Sequence, residues 1–214
     1  TLESSEFEPV LGVEASYIVS PPGETRQVDL EGEETPTGDR RWDWSYTTES
    51  SRDVDIVARD IDDKWYADEF PDDTFVLPLQ LSGETEAVYR KTDDQMQLLG
   101  LASSEENPDE GQTLLTYEEP VVVYKFPLEA GDEWISTGDV NNGTFEGKPY
   151  GGTDTYEVDV RAKGEMKLPN FTFEQVFRID TKITTNAAAG GTAERRQVSF
   201  VAECFGEVAR ARSR

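Results

Sequence analysis

The sequence predicts an all-β protein whose long, strongly twisted antiparallel sheet takes a half-barrel form, with little or no helix. Three observations carry this. From Tyr156 to Leu168 every even position is Tyr, Val, Val, Ala, Gly, Met or Leu, and every odd position between them is charged. That period of two belongs to an antiparallel strand with one dry and one wet face. Short polar turns separate the other apolar runs, as in a meander. Nowhere do apolar residues recur at helical spacing for three turns.

Residues 1–24 read as an N-terminal tether and a first short strand, Ala15 to Val19, closed by Pro21-Pro22-Gly23. Residues 25–111 read as a first β meander. Its first strand, Arg41 to Thr48, places Trp42, Trp44 and Tyr46 on one face, and Asp53 to Ile61 does the same with Val54, Ile56 and Ala58. Strands at Thr74 to Leu81, Glu86 to Lys91 and Gln95 to Ala102 follow. The acidic stretch between Asp60 and Asp73 holds Trp65, Tyr66 and Phe70, which predicts a packed irregular loop or a single helical turn.

Residues 112–214 form the long-strand region, continuous with the meander in one domain. Thr113 to Phe126 is interrupted at Glu118-Glu119-Pro120, where proline imposes a bulge, break or edge. A tight connection centres on Gly131-Asp132, and Asn141-Asn142-Gly143 carries turn chemistry. Three strands finish the chain: Thr155 to Leu168, Thr172 to Thr185 and Arg195 to about Ala211. A 12-residue strand spans about 40 Å, and twist over that length curls a sheet. Gly164, mid-strand on the apolar face, permits a bend or admits a bulky neighbour.

Composition removes several functions. A formal charge of −25, from 45 acidic and 20 basic residues, leaves no cationic footprint for nucleic acid and disfavours an anionic membrane surface. Histidine is absent, which removes the usual neutral-pH base and the commonest nitrogen ligand. The single cysteine, Cys204, cannot form an intrachain disulfide or a zinc site, and its strand phase with Val198, Phe200 and Ala202 predicts an inert, buried thiol. No run approaches the ~20 apolar residues of a membrane span. The GxSxG elbow, phosphate loop and HExxH motifs are all missing, so the expectation is a non-enzyme with no cofactor and no metal. The acidic run at Asp60–Asp73 lacks the ligand order of a helical calcium loop and reads as a solvated face.

The candidate ligand-binding residues are Tyr156, Val158, Val160, Met166, Phe173, Phe177 and Ile179. They form either the floor of an apolar pocket on the concave face or an ordinary core, and a cavity of a few hundred Å³ would distinguish the two. Phe171 is placed on the same face as Phe173 and Phe177.

Three motif groups add a resemblance. They are Phe126-Pro127-Leu128 with Gly131, Asp132 and Trp134; Leu168-Pro169 with Phe171, Thr172, Phe173 and Glu174; and Phe200, Ala202 and Glu203 with Gly206, Glu207, Val208, Ala209 and Arg210. Over residues 120–211 the chain resembles exported bacterial β proteins akin to the half-barrel lipoprotein carriers and receptors of the cell envelope. The resemblance implies export to the periplasm or outer-membrane surface, lipid anchoring through a segment upstream of Thr1, and a concave face able to hold acyl chains. Such carriers close their barrel with helices, and no segment here is suited to that. The expected function is therefore a non-catalytic, monomeric envelope protein. Its partner is an apolar, lipid-like small molecule or, on the alternative reading, another envelope protein contacted by a module with a solid core.

Overall fold

A computed structural model describes residues 1–21, 23–80 and 83–213. Fourteen strands are present among them: β1 Glu14–Val19, β2 Glu33–Glu34, β3 Arg40–Asp43, β4 Arg52–Val57, β5 Arg59–Asp60, β6 Thr74–Pro78, β7 Thr85–Lys91, β8 Gln95–Ser103, β9 Leu114–Lys125, β10 Glu133–Phe145, β11 Lys148–Lys167, β12 Thr172–Ala187, β13 Thr192–Ala202 and β14 Gly206–Arg212. Strands β5 to β14 lie side by side in chain order in one curled antiparallel half-barrel sheet. β1 and β4 form a separate antiparallel ribbon. The helical content of the described residues is two single 3-10 turns, Ser4–Glu6 and Ala67–Glu69. No helix among them is long and apolar enough to cross a membrane.

The predicted alternation is present, but a bulge divides it. In β11, Val160 faces Ile179 of β12 whereas Ala162 faces Arg178, so Arg161 is an extra residue. An extra residue sends every side chain beyond it to the other face. Val158 and Val160 therefore join Phe177 and Ile179 in the inner core. Met166, six residues after Val160, joins Trp42, Val176 and Phe200 in a second cluster on the outer face. A second irregularity, between Gly164–Val176 and Met166–Phe173, puts Phe173 on the outer side as well. The expected single face for Phe171, Phe173 and Phe177 is corrected accordingly: Phe177 is internal, Phe173 external and Phe171 exposed.

Outer burial is possible because an N-terminal segment covers that face. β10 pairs with β11 as far as Asp159, and β3 then takes over the vacated edge as a parallel partner from Gly164 to Lys167. A Cβ on Gly164 would lie 1.8 Å from the Arg40 carbonyl oxygen. This glycine thus admits a neighbouring backbone. Trp42, fully buried, donates from its indole to the Leu30 carbonyl at 2.9 Å, and Trp44 donates to the Asp29 carbonyl at 2.8 Å. The expected aromatic stripe grades outward from buried Trp42 through half-buried Trp44 to exposed Tyr46.

Three further expectations change. Asn141-Asn142-Gly143 is a bulge inside β10, and the hairpin turns instead at Glu146-Gly147, where φ is 48° and 72°. Two consecutive positive φ values match the twist of a two-residue hairpin. The final expected strand is two strands, β13 and β14, joined by Glu203-Cys204-Phe205. Cys204 is exposed in that turn at φ 63°, contrary to the buried position expected of it, because the strand ends at Ala202. Ser199, which alternates with Val198 and Phe200, is buried on the inner side. The interruption at Pro120 is a shift of register, since Leu98 faces Val121 while Gly100 faces Thr116. Pro22, in the first expected turn, and Leu81, the expected end of the third strand, lie outside the described residues.

Candidate functional site

Five of the seven candidate residues meet on the concave side. Val158, Val160, Phe177 and Ile179 are at most 3% exposed, and Tyr156 packs against them half-buried. Leu2, Phe7, Phe75 and Met96 join them in one buried cluster, together with Trp134, the cross-strand neighbour of Val158, so the chain's own side chains pack the concave side. Leu2 is fixed there by backbone hydrogen bonds in both directions with Leu128, each 2.9 Å. Trp134 donates from its indole to the Val122 carbonyl at 2.9 Å, which ties β10 to β9. Met166 and Phe173 belong to the outer cluster and contribute nothing to this interior.

The inner wall becomes polar along β13 and β14. Ser199 Oγ donates to Glu207 at 2.7 Å, and Glu207 pairs with Arg210 at 2.6 Å. Their shared face requires another bulge, because Phe200 faces Ala209 while Val201 faces Glu207. The Tyr17 hydroxyl of β1 donates to the Glu207 carbonyl at 2.7 Å, and Arg212 reaches the Leu79 carbonyl at 3.1 Å. These contacts span the gap between β14 and the β6 side of the half-barrel. Sequence reasoning missed this network, because residues 207 and 210 share a strand face only through the bulge.

Tyrosines line the same interior. Tyr117 donates to Asp154 Oδ2 at 2.5 Å, while Asp154 Oδ1 is buried without a hydrogen-bond partner. Burial raises the pKa of Tyr89, Tyr117, Tyr124 and Tyr156 above the ordinary phenol value, and nearby carboxylates add to the effect. The hydroxyls are neutral across the physiological range, so they act as hydrogen-bonding groups and not as bases.

The acidic stretch is fastened by its aromatic residues. Fully buried Tyr66 donates to Glu86 at 2.5 Å, and Lys64 pairs with the other oxygen of Glu86 at 2.6 Å. Glu86 is itself buried, so it requires both partners. The remaining carboxylates face outward, and no group of three potential metal ligands converges among the described residues.

One exposed feature stands apart from these packed regions. Phe171, Phe173 and Phe205 form a ring cluster at the end where β12 begins and β13 turns into β14, with centroids 6.3 and 5.2 Å apart. Phe171 and Phe205 are 66% and 67% exposed. Glu174 and Glu203 flank them in the chain, both exposed. Two surface cavities of the described residues lie elsewhere, one between β3 and β12 and one among the acidic loops around Glu84 and Asp109, and none of the seven candidate residues lines either. No family model, curated protein or solved structure matches this chain.

Proposed function

We propose that this protein is a non-catalytic module of the bacterial cell envelope that works through protein contact, with a solid interior in place of an apolar ligand. The filled concave side carries this reading. Val158, Val160, Phe177 and Ile179 pack against Leu2, Phe7 and Trp134, so an acyl chain would have to displace side chains already buried there. The exposed phenylalanine cluster supports the contact role, because large apolar rings rimmed by acids are suited to a partner of complementary shape and charge. The envelope location is proposed on the resemblance of residues 120–211 alone, and fractionation of the native cells tests it.

Titration with a fluorescent fatty acid tests the interior. The reading expects no saturable binding. Saturable binding that Val158→Phe abolishes would place a ligand inside the sheet and overturn it. A photo-crosslinking residue at Phe205 in the native cell should give discrete protein adducts, and the same residue at exposed Ser50 should not.

A further inference from the structure

The cavity between β3 and β12 is built unlike the rest of this acidic surface. It measures about 320 Å³ and is lined by Glu31, Arg40, Arg161, Ala162, Arg178 and Asp180. Three guanidiniums and two carboxylates line it, and Glu34 and Asp159 stand beside Arg40 and Arg161. The site lies over the Arg161 bulge, in the interval of β11 that β10 has left and β3 has not yet reached.

Two of the arginines differ from the third. Arg178 is 7% exposed and structural: Nε and Nη2 each donate to Asp180 at 2.9 Å, and Nη1 donates to the Leu30 carbonyl at 2.7 Å and to Glu31 at 3.2 Å. Asp159 and Asp180 face each other across β11 and β12, a like-charge pairing that needs a cation; Arg161 stands against both, and Arg178 pairs with Asp180. Arg40, by contrast, makes no side-chain hydrogen bond among the described residues; its nearest carboxylate, Glu34, is 3.6 Å away and 66% exposed. Arg161, 57% exposed, stands 3.0 Å from Asp159 through Nη1 and 3.6 Å from Asp180 through Nε. The surrounding frame is rigid, because Trp42, Trp44 and Arg178 all hold the loop at Asp29–Leu30.

We infer that this cavity is a binding site for a small organic carboxylate, with Arg40 and Arg161 donating to its oxygens and the Arg178–Asp180 pair as the floor. The N–H groups of Arg40, whose side chain is 35% exposed, are a fork matched to a carboxylate. The volume suits a molecule of a few carbons more than a bare inorganic ion. This inference is independent of the solid interior and of the phenylalanine cluster.

The test follows the arginine Nε–Hε resonances by NMR during titration with succinate, and with inorganic phosphate in parallel. Succinate should shift Arg40 and Arg161 saturably, and Arg40→Gln or Arg161→Gln should weaken binding by about tenfold or more. Arg41→Gln, whose parent guanidinium pairs with Glu165 outside the cavity, should bind as the unaltered protein does. Melting curves within a few degrees of the parent establish that the variants remain folded. Unsaturable or scattered shifts, equal binding by the Arg40 variant, or phosphate binding as tightly as succinate would each overturn the assignment.

Discussion

The two faces of the β11–β12 pair carry apolar clusters of different origin. On the inner face, the curl of the sheet brings strands from the whole chain against Val158, Val160, Phe177 and Ile179. On the outer face, Met166, Phe173 and Val176 are covered mainly by one short segment, in which Trp42 and Trp44 lie edge-on against Phe200 at 4.9 and 5.1 Å. The inner core is a product of closure. The outer one exists because a single bulge at Arg161 turns the strand over just where a parallel strand is available to cover it.

Deleting Arg161 should break this arrangement most severely. Without the extra residue, Met166 would turn inward and the phase of β11 against β12 would shift by one. We expect a loss of at least about 4 kcal/mol, or failure to fold, by urea denaturation. Stability near that of the parent would mean that the bulge can move along the strand and that the two clusters do not depend on its position.

Trp42→Ala sharpens the comparison. It empties the outer cluster and removes the hydrogen bond to Leu30, and should cost about 3–5 kcal/mol. Hydrogen exchange should accelerate in β3 and at Met166 while the amides of Val158 and Val160 remain protected. Equal acceleration on both sides would show that the clusters form one cooperative unit.

How much of this was legible in the sequence depends on what leaves a local trace. The strand alternation, the turn at Gly131-Asp132, the interruption at Pro120 and the packing of the acidic stretch by its aromatic residues all follow from residue type. The Arg161 bulge does not, because a charged residue between Val160 and Ala162 satisfies the alternation whether or not it is extra. A partial signal existed in the adjacent apolar residues Val176-Phe177 and Phe200-Val201-Ala202, since consecutive buried positions require cover on both faces. Asn141-Asn142-Gly143 misled because turn residues also suit bulges; Gly143 is packed so closely that a Cβ would lie 2.7 Å from Val140. Of the candidate residues, Tyr156, Val158, Val160, Phe177 and Ile179 lie together on the inner face, whereas Met166 and Phe173 lie on the outer one.

The inner face should also respond to alkali in a way the outer face cannot. Tyr89, Tyr117, Tyr124 and Tyr156 have raised folded pKa values, chiefly through burial. A raised value contributes stability that is fully present below the unfolded pKa, about 10, and is lost as pH rises through the folded values. Absorbance at 295 nm should therefore show these phenols ionising together with unfolding above pH 10. Their ionisation near pH 10 with the fold intact would contradict an enclosed interior.

The smallest effect is expected at the β13–β14 turn. Cys204→Ser should change stability by no more than about 0.5 kcal/mol, since the side chain is exposed. A thiol reagent should label the native protein rapidly, and protection comparable to that of a core residue would move Cys204 back into the sheet.

Native mass spectrometry of protein purified gently from its own cells tests the solid interior most directly. With the concave side filled by Val158, Val160, Phe177, Ile179 and their partners, the spectrum should show the polypeptide without a bound acyl molecule, and organic extraction should release no stoichiometric lipid. A stoichiometric lipid adduct, lost on Val158→Phe substitution, would contradict the account.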